Sequence, residues 1–192
     1  MRHEYTFGLN RIYLLFAELG FTTTFLVSVN THVIEQFGRD IAAIPIPRFI
    51  EWGARNFIPF DDRTILLRSL LFPAFSTDPT RGIWQGATVT YVAMQLAFYM
   101  GFNPVILIGV DHSFVTQGDP HKLVVSQGDD PNHFAANYFG KGTRWQLPDL
   151  ETSEIAYHLA RDTYTRHQRR ILDATVGGQL MVFPKVAYES LF

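Results

Sequence analysis

Residues 105–108 restrict the fold of this chain more than any other stretch. Val105, Ile106, Leu107 and Ile108 form an unbroken run of branched apolar side chains. Such a run is typical of a strand that is buried on both faces of a parallel sheet, whereas a half-exposed strand alternates apolar and polar residues. We therefore expect a buried parallel strand here and an α/β fold around it.

Chemically useful residues follow this predicted strand at once. Gly109 allows the backbone to approach a neighbour or a ligand closely, and Asp111 and His112 add a carboxylate and an imidazole. Open α/β sheets bind ligands at the carboxyl ends of their strands. At that position Asp111 would accept a hydrogen bond from a ribose hydroxyl, bind Mg²⁺ or cap a turn. His112 would act as an acid–base group or as a hydrogen-bonded structural residue.

The segment before the strand, residues 86–100, is predicted to form a helix. Its apolar side chains fall at helical spacing, and Gly101 suits a C-cap. At its start, Gly86 and Thr88 suit either a phosphate site made of free N–H groups or a plain N-cap. A helix, a tight turn and a buried strand form half of a βαβ unit. The predicted fold class is thus a Rossmann-like, doubly wound, mostly parallel α/β sheet.

The remaining elements are predicted from propensity and turn residues. We expect strands at residues 4–7, 23–29, 41–49 and 170–175, a helix that begins at an N-cap on Thr31 and ends near Arg39, and a polar, exposed helix over 150–168.

Two further segments, residues 51–82 and 115–148, are predicted to be rich in loops. The second is long, polar and aromatic, and long loops in compact domains are usually functional. We interpret it as a lid over an active site. No internal repeat or boundary is evident, so residues 1–192 are predicted to form a single domain.

Composition excludes several classes of function. The chain has no cysteine, so disulfides, thiolate catalysis and zinc sites built on sulfur are excluded, and a cytoplasmic setting is expected. A net charge of −2 gives no basic field for nucleic-acid binding. No apolar run approaches the ~20 residues needed to span a bilayer, so membrane contact would be peripheral. Asp129, Asp130 and His133 suit a turn better than a metal site, and no bound metal is predicted.

Three segments resemble a known family. They are Gly8–Tyr13 together with Val27–Asn30, the helix–strand unit that ends at Gly109-Val110-Asp111, and the loop from Asp129 to Gly142. The resemblance is to bacterial proteins of the 6-hydroxymethylpterin diphosphokinase-like family. That group includes motility-accessory glycosyltransferases and is similar in pattern to the Campylobacter-type sialyltransferases.

The resemblance implies roles for several residues. Two asparagines that close early strands in the sialyltransferases contact the cytidine nucleotide, and they correspond to Asn10 and Asn30. The family's general base is a histidine in a Tyr-x-Gly-His stretch. Here that stretch is Tyr138-Phe139-Gly140-Lys141, so a lysine stands at the histidine position. This departure leaves Lys141 and Arg144 as phosphate clamps, with His112 or His133 as the base.

A second departure concerns the start of the sequence. Related proteins begin with a strand and a Gly-x-Gly-Pro-Ser phosphate-binding turn before the segment that corresponds to Tyr5 onward. The resemblance therefore predicts a chain truncated at the N-terminus, with an exposed sheet edge that would favour a homo-oligomer.

The predicted function is sialyltransferase-like transfer from a nucleotide-activated sugar, such as a CMP-linked one, to a surface glycan, without a required cofactor. The predicted site comprises catalytic residues (Asp111, His112, His133, Lys141), nucleotide-binding residues (Asn10, Asn30, Gly86, Thr88, Gly109) and acceptor or lid residues (Tyr138, Arg144). Two alternatives stay open. One is Mg²⁺- and ATP-dependent diphosphate transfer to a hydroxymethylpterin, and the other is a noncatalytic binding module.

Overall fold

The computed structural model describes residues 1–113, 118–128, 135 and 138–191. The chain is a mixed α/β protein that contains a parallel four-stranded sheet, which confirms the predicted class at that level. It divides into two compact units, which are described separately below. The first unit comprises Met1–Ser69 and Val115–Pro148, and the second comprises Leu70–Phe114 and Asp149–Phe192.

Twelve helices and strands make up the described regular structure, together with short 3₁₀ turns. In chain order they are β1 (Phe7–Leu9), α1 (Phe16–Leu19), β2 (Phe25–Ser28), α2 (Thr31–Ala43), β3 (Arg48–Glu51), β4 (Thr64–Leu67), α3 (Val89–Tyr99), β5 (Val105–Leu107), β6 (Leu123–Val125), β7 (Arg144–Gln146), α4 (Leu150–Arg166) and β8 (Ile171–Asp173).

The first unit is built on β1, β2, β3 and β4, which pair in parallel in chain order. Leu26 of β2 and Ile50 of β3 are fully buried, and Ile34 and Ile41 of α2 belong to the same apolar cluster. The two α2 residues lie seven positions apart and therefore share one face of the helix. Burial of that face against the sheet side chains is what holds α2 in place.

A short antiparallel hairpin of β6 and β7 also belongs to the first unit. Val124 pairs with Trp145, and the ring of Trp145 stacks on Phe139 with their centroids 5.4 Å apart. This hairpin lies within the segment that was predicted to be a loop-rich lid. The alternating burial of β7, with Trp145 buried between two exposed neighbours, is the ordinary pattern of a strand with one solvated face.

The second unit is built on β5, β8, α3 and α4. The two strands pair in parallel, with Val105 opposite Ile171. The Tyr164 hydroxyl of α4 donates to the carbonyl oxygen of Met94 in α3 at 2.8 Å, and the rings of Phe98 and Tyr164 meet edge to face at 5.2 Å. The two helices are therefore joined by aromatic packing and by a satisfied buried hydroxyl.

The prediction that residues 105–108 are buried on both faces of a sheet is wrong. Within the described residues β5 pairs only with β8 and ends at Leu107. Leu107 is 6% exposed, but Ile108 is 45% exposed. The chain turns at Gly109, whose φ is +71°, so the apolar run extends beyond the strand and into the solvated loop.

Several predicted boundaries also need correction. The strand predicted at residues 4–7 is instead β1, which begins at Phe7, and Asn30 rather than Thr31 is the N-cap of α2. The strand predicted over residues 41–49 is wrong in its first half, because α2 continues to Ala43 and β3 begins only at Arg48. The region predicted as loop-rich, residues 51–82, contains β4.

The helix predicted to be exposed, α4, has a buried face. Ala156, Tyr157, Ala160 and Tyr164 are all less than 4% exposed. They recur at three-, four- and seven-residue spacing and so form one stripe of the helix. Most of the other positions of α4 are polar, so a count of charged residues alone does not reveal this buried stripe.

Candidate functional site

Polar residues of the second unit gather where β5 and β8 end and where α3 and α4 begin. The backbone N–H of Val110 donates to the Thr175 hydroxyl at 3.1 Å, and the N–H of Gln179 donates to the carbonyl oxygen of Asp111 at 2.8 Å. These bonds tie the loop after β5 to the loop after β8. We call residues 86–88, 109–112, 154–157 and 173–179 the carboxyl edge of the second unit.

His112 is the central side chain of this edge. Its Nε2 atom lies 3.6 Å from Oε2 of Glu154, and its ring meets that of Tyr157 edge to face with centroids 5.9 Å apart. The His112 side chain is 12% exposed, whereas that of Glu154 is 52% exposed. The Glu154 carboxylate therefore lies next to a largely covered imidazole.

The backbone of His112 is in the left-handed region, with φ at +53°. Non-glycine residues seldom adopt this conformation, although histidine does so more often than most, and such residues cluster at functional sites. Gly109, three residues earlier, is also left-handed at +71°, and a Cβ added there would meet nothing within 4 Å. Gly109 is therefore required for the turn and not for a close contact.

Tyr157 connects His112 to the start of α3. Its hydroxyl oxygen lies 3.3 Å from the hydroxyl oxygen of Thr88, and the Thr88 oxygen also accepts from the N–H of Thr90. Burial raises the pKa of Tyr157. Hydrogen bonds with Thr88 and Thr90 lower this pKa in part, and the charge of Asp173 raises it. Tyr157 is therefore a neutral phenol near pH 7, able to donate as well as accept.

Thr88 is the N-cap of α3, so the plain capping role is present. Gly86 before it has φ at +58°, and a Cβ at that position would lie 2.5 Å from Cβ of Ala156 and 2.8 Å from Cδ1 of Tyr91. Glycine is therefore required at position 86 both for its backbone conformation and for the close approach of α4 to this turn.

Asp111, in the loop after β5, is exposed to solvent. Its carbonyl oxygen accepts the hydrogen bond from the N–H of Gln179 described above. Across the edge, the fully buried carboxylate of Asp173 accepts from the N–H of Thr175 at 2.8 Å and from Nζ of Lys185 at 2.6 Å.

The predicted nucleotide-binding asparagines belong to the first unit. Asn10 follows β1 with φ at +48°, and its Oδ1 accepts from the hydroxyl of Ser28 at 3.1 Å. Asn30 follows β2, and its Oδ1 accepts from the N–H groups of His32 at 2.9 Å and Val33 at 3.3 Å. Both side-chain oxygens therefore have local structural bonds at the carboxyl ends of neighbouring strands.

Tyr138 of the predicted lid is buried in the first unit. Its hydroxyl accepts from the N–H of Arg11 at 3.4 Å, and its carbonyl oxygen accepts from the Arg11 guanidinium. Burial raises the pKa of Tyr138 to about 12 against the lowering effect of Arg11. The side chain is 4% exposed and serves as part of the core.

The other predicted lid residues differ in their surroundings. Lys141 is exposed, and Arg144 forms an ion pair with Glu35 at 3.0 Å. The backbone of Arg144 exchanges two 2.8 Å bonds with the side chain of Gln36, so β7 is fixed to α2 at this point. His133, with Asp129 and Asp130, lies outside the described residues.

Glu154, Tyr157, Asp173 and Lys185 were not predicted from the sequence. The three-residue spacing of Glu154 and Tyr157 places them on one helix face, and Asp173 follows the apolar pair Ile171-Leu172 as Asp111 follows β5. Those signals were available, but the contact with His112 depends on tertiary structure.

Comparison of the chain with protein-family models, with curated proteins and with solved structures finds no match. In the described part of the chain, no three histidine, aspartate or glutamate residues are grouped as metal ligands would be. None of the described helices has the length and apolar character needed to cross a membrane.

Proposed function

We propose that this chain is a transferase that uses a nucleotide-activated sugar, with His112 as the general base. The observation that carries the proposal is the 3.6 Å approach of His112 to Glu154 on the carboxyl edge of the second unit. An imidazole with an adjacent carboxylate is one arrangement by which enzymes abstract a proton from a hydroxyl.

The chemistry follows from that pair. His112 removes the proton from the acceptor hydroxyl while the acceptor oxygen bonds to the anomeric carbon of the donor sugar. The bond from that carbon to the phosphate oxygen breaks, and its electron pair leaves with the nucleotide. Glu154 stabilises the imidazolium that forms, and the proton then passes from His112 to solvent. The resemblance implies no required cofactor for this reaction, and the proposal keeps that expectation.

The start of α3 is suited to binding the donor phosphate. Gly86 and Thr88 form a turn at the N-terminus of an eleven-residue helix, whose free N–H groups favour negative charge. Thr88 is joined to Tyr157, which contacts His112, so the turn and the proposed base belong to one connected set of side chains.

The donor class is proposed from the family resemblance. A CMP-linked acidic sugar is the donor that it favours, with a surface glycan as acceptor. A Rossmann-like, doubly wound arrangement and a cytoplasmic location form part of the same proposal.

Ligand binding tests the donor class. The melting temperature of the whole chain would be measured with CMP, UMP, AMP and ATP, each with and without Mg²⁺. A ligand that binds the native state raises the melting temperature by mass action. The proposal predicts a rise with CMP that needs no Mg²⁺. A rise confined to ATP with Mg²⁺ would favour diphosphate transfer, and no rise with any nucleotide would favour a noncatalytic module.

A further inference from the structure

We infer that this chain forms a symmetric dimer in which the free edge of β4 pairs with β4 of a second copy. The inference concerns the first unit and is independent of the proposed function. It rests on the direction of the backbone groups of β4, on its exposed side chain and on the charges that flank it.

The outer edge of β4 presents unpaired backbone groups. In the described part of the chain β4 is an end strand of its sheet and pairs only with β3, where the N–H of Arg48 donates to the carbonyl oxygen of Arg63 at 2.8 Å. Successive residues direct their backbone groups to opposite edges, so those of Thr64 and Leu66 point away from β3. The N–H of Thr64 donates to the carbonyl oxygen of Asp61 at 3.2 Å. The carbonyl group of Thr64 and both backbone groups of Leu66 have no partner among the described residues.

The edge lacks the features that usually prevent strands from pairing. Natural edge strands are protected by charged residues, by proline or by a bulge. β4 has the sequence Thr-Ile-Leu-Leu and pairs with β3 without a bulge. Ile65, inside the strand, is 45% exposed. The edge is therefore suited to accept a further strand through hydrogen bonds and an apolar contact.

The backbone directions limit how a second copy can pair. Two identical edges related by a two-fold axis run antiparallel. Because outward groups must face outward groups, the axis passes through Thr64, Ile65 or Leu66. When it passes through Ile65, the N–H of Leu66 in each copy donates to the carbonyl oxygen of Thr64 in the other.

Charge complementarity selects the register centred on Ile65. Asp62 and Arg68 are both exposed, and each lies three residues from Ile65. In this register Asp62 is opposite Arg68 of the second copy, and the two-fold axis repeats the pair. The other two registers place neither residue opposite its counterpart. Opposite charges at facing positions favour strand pairing, and like charges oppose it.

The two Ile65 side chains meet at the axis in this register. They form a non-hydrogen-bonded pair, which is the closer of the two types of antiparallel pair. One register thus provides hydrogen bonds, an apolar contact at the centre and an ion pair at each end. This self-complementarity is the reason for assigning a second copy to the edge.

Sedimentation equilibrium of the whole chain tests the dimer and its register. We expect a dimer whose dissociation constant rises at least about tenfold in Asp62→Arg and in Arg68→Asp, because each substitution places like charges opposite each other at both ends. The double variant that combines both substitutions should dimerise as the original chain does. Arg39→Asp, the same charge change at an exposed arginine of α2, is the matched control and should leave the dissociation constant unchanged.

An equimolar mixture of the two single variants gives a further result that a loss of folding cannot imitate. One variant carries arginine at both positions and the other carries aspartate at both. Each alone should be largely monomeric, whereas the mixture should form a heterodimer. A mixture that stays monomeric would overturn the inference.

Cysteine cross-linking locates the axis, since the chain has no cysteine of its own. The Cα atoms of a non-hydrogen-bonded pair are about 4.5 Å apart, within the range of a disulfide, so Ile65→Cys should cross-link two copies on oxidation. Arg63→Cys is the control, because the two copies of residue 63 would lie roughly 13 Å apart along the strands. Equal cross-linking of both variants, or a monomeric original chain at every concentration, would overturn the inference. A dimer that is insensitive to both charge reversals would overturn it as well.

Discussion

His112 and Glu154 are brought together by the loop after β5 and the second turn of α4, with Nε2 and Oε2 3.6 Å apart. If Glu154 positions the proposed base, Glu154→Gln should lower kcat/KM by about tenfold with little change in donor KM, because orientation and charge at His112 are lost while the donor contacts remain. Steady-state kinetics of donor turnover measure this. Glu151→Gln, at an exposed carboxylate of the first turn of α4, should leave both constants unchanged.

Gly86 and Gly101 provide a matched pair for the packing of α3 and α4. Both have positive φ, but a Cβ at Gly86 would collide with Ala156 and Tyr91, whereas one at Gly101 meets nothing within 4 Å. Gly101→Ala should cost about 1 kcal/mol from backbone strain alone. Gly86→Ala should cost about 3 kcal/mol, since overpacking is added to strain. Urea unfolding measures both values, and equal losses would contradict the close approach at Gly86.

Asn30 has a capping role that can be separated from nucleotide binding. Its side-chain oxygen accepts from His32 and Val33 at the start of α2. Asn30→Ala should therefore lower the free energy of unfolding by about 1 kcal/mol, and Asn30→Asp should keep the original stability because it retains the acceptor. If the amide also contacts the nucleotide, Asn30→Asp should weaken CMP binding without loss of stability. Thermal unfolding and calorimetry on the same samples distinguish the two effects.

Tyr138 should make the protein sensitive to alkaline pH. The ordinary tyrosine pKa is 10.0, and burial raises the pKa of Tyr138 to about 12. Between these values the unfolded chain loses the phenol proton while the native chain keeps it, so stability falls as pH rises from 10 to 12. Tyr138→Phe should reduce the slope of that fall. The control is Tyr99→Phe at an exposed tyrosine, and an identical slope in both variants would contradict the burial of Tyr138.

The α/β class was predictable because local patterns agree with it. The helical spacing of Val89, Val92 and Leu96 predicts α3, and the β-branched run around Val27 predicts β2; both lie inside the predicted ranges. The exposure of Ile108 was not predictable from the same reasoning. Hydropathy identifies an apolar run, but the number of neighbouring strands and the point at which the chain turns depend on the rest of the fold.

The candidate site was predictable only in part. Asp111 and His112 follow a strand, and that position alone makes them candidates. Glu154 and Tyr157 are more than 40 residues away in sequence, and nothing local indicates that their helix face meets His112. Lys185 was missed for the same reason, since its relation to Asp173 depends on how the chain returns to β8.

Release of CMP from a CMP-linked acidic nine-carbon sugar by the whole chain, with water in place of the acceptor, is the sharpest test of His112 as the general base. We expect measurable release, and we expect His112→Gln to slow it by about 100-fold or more, the usual contribution of a general base. His158→Gln, at an exposed histidine of α4, should release CMP at the original rate. Equal rates for His112→Gln and the original chain would rule out His112 as the general base, and no CMP release by the original chain would rule out a CMP-linked donor.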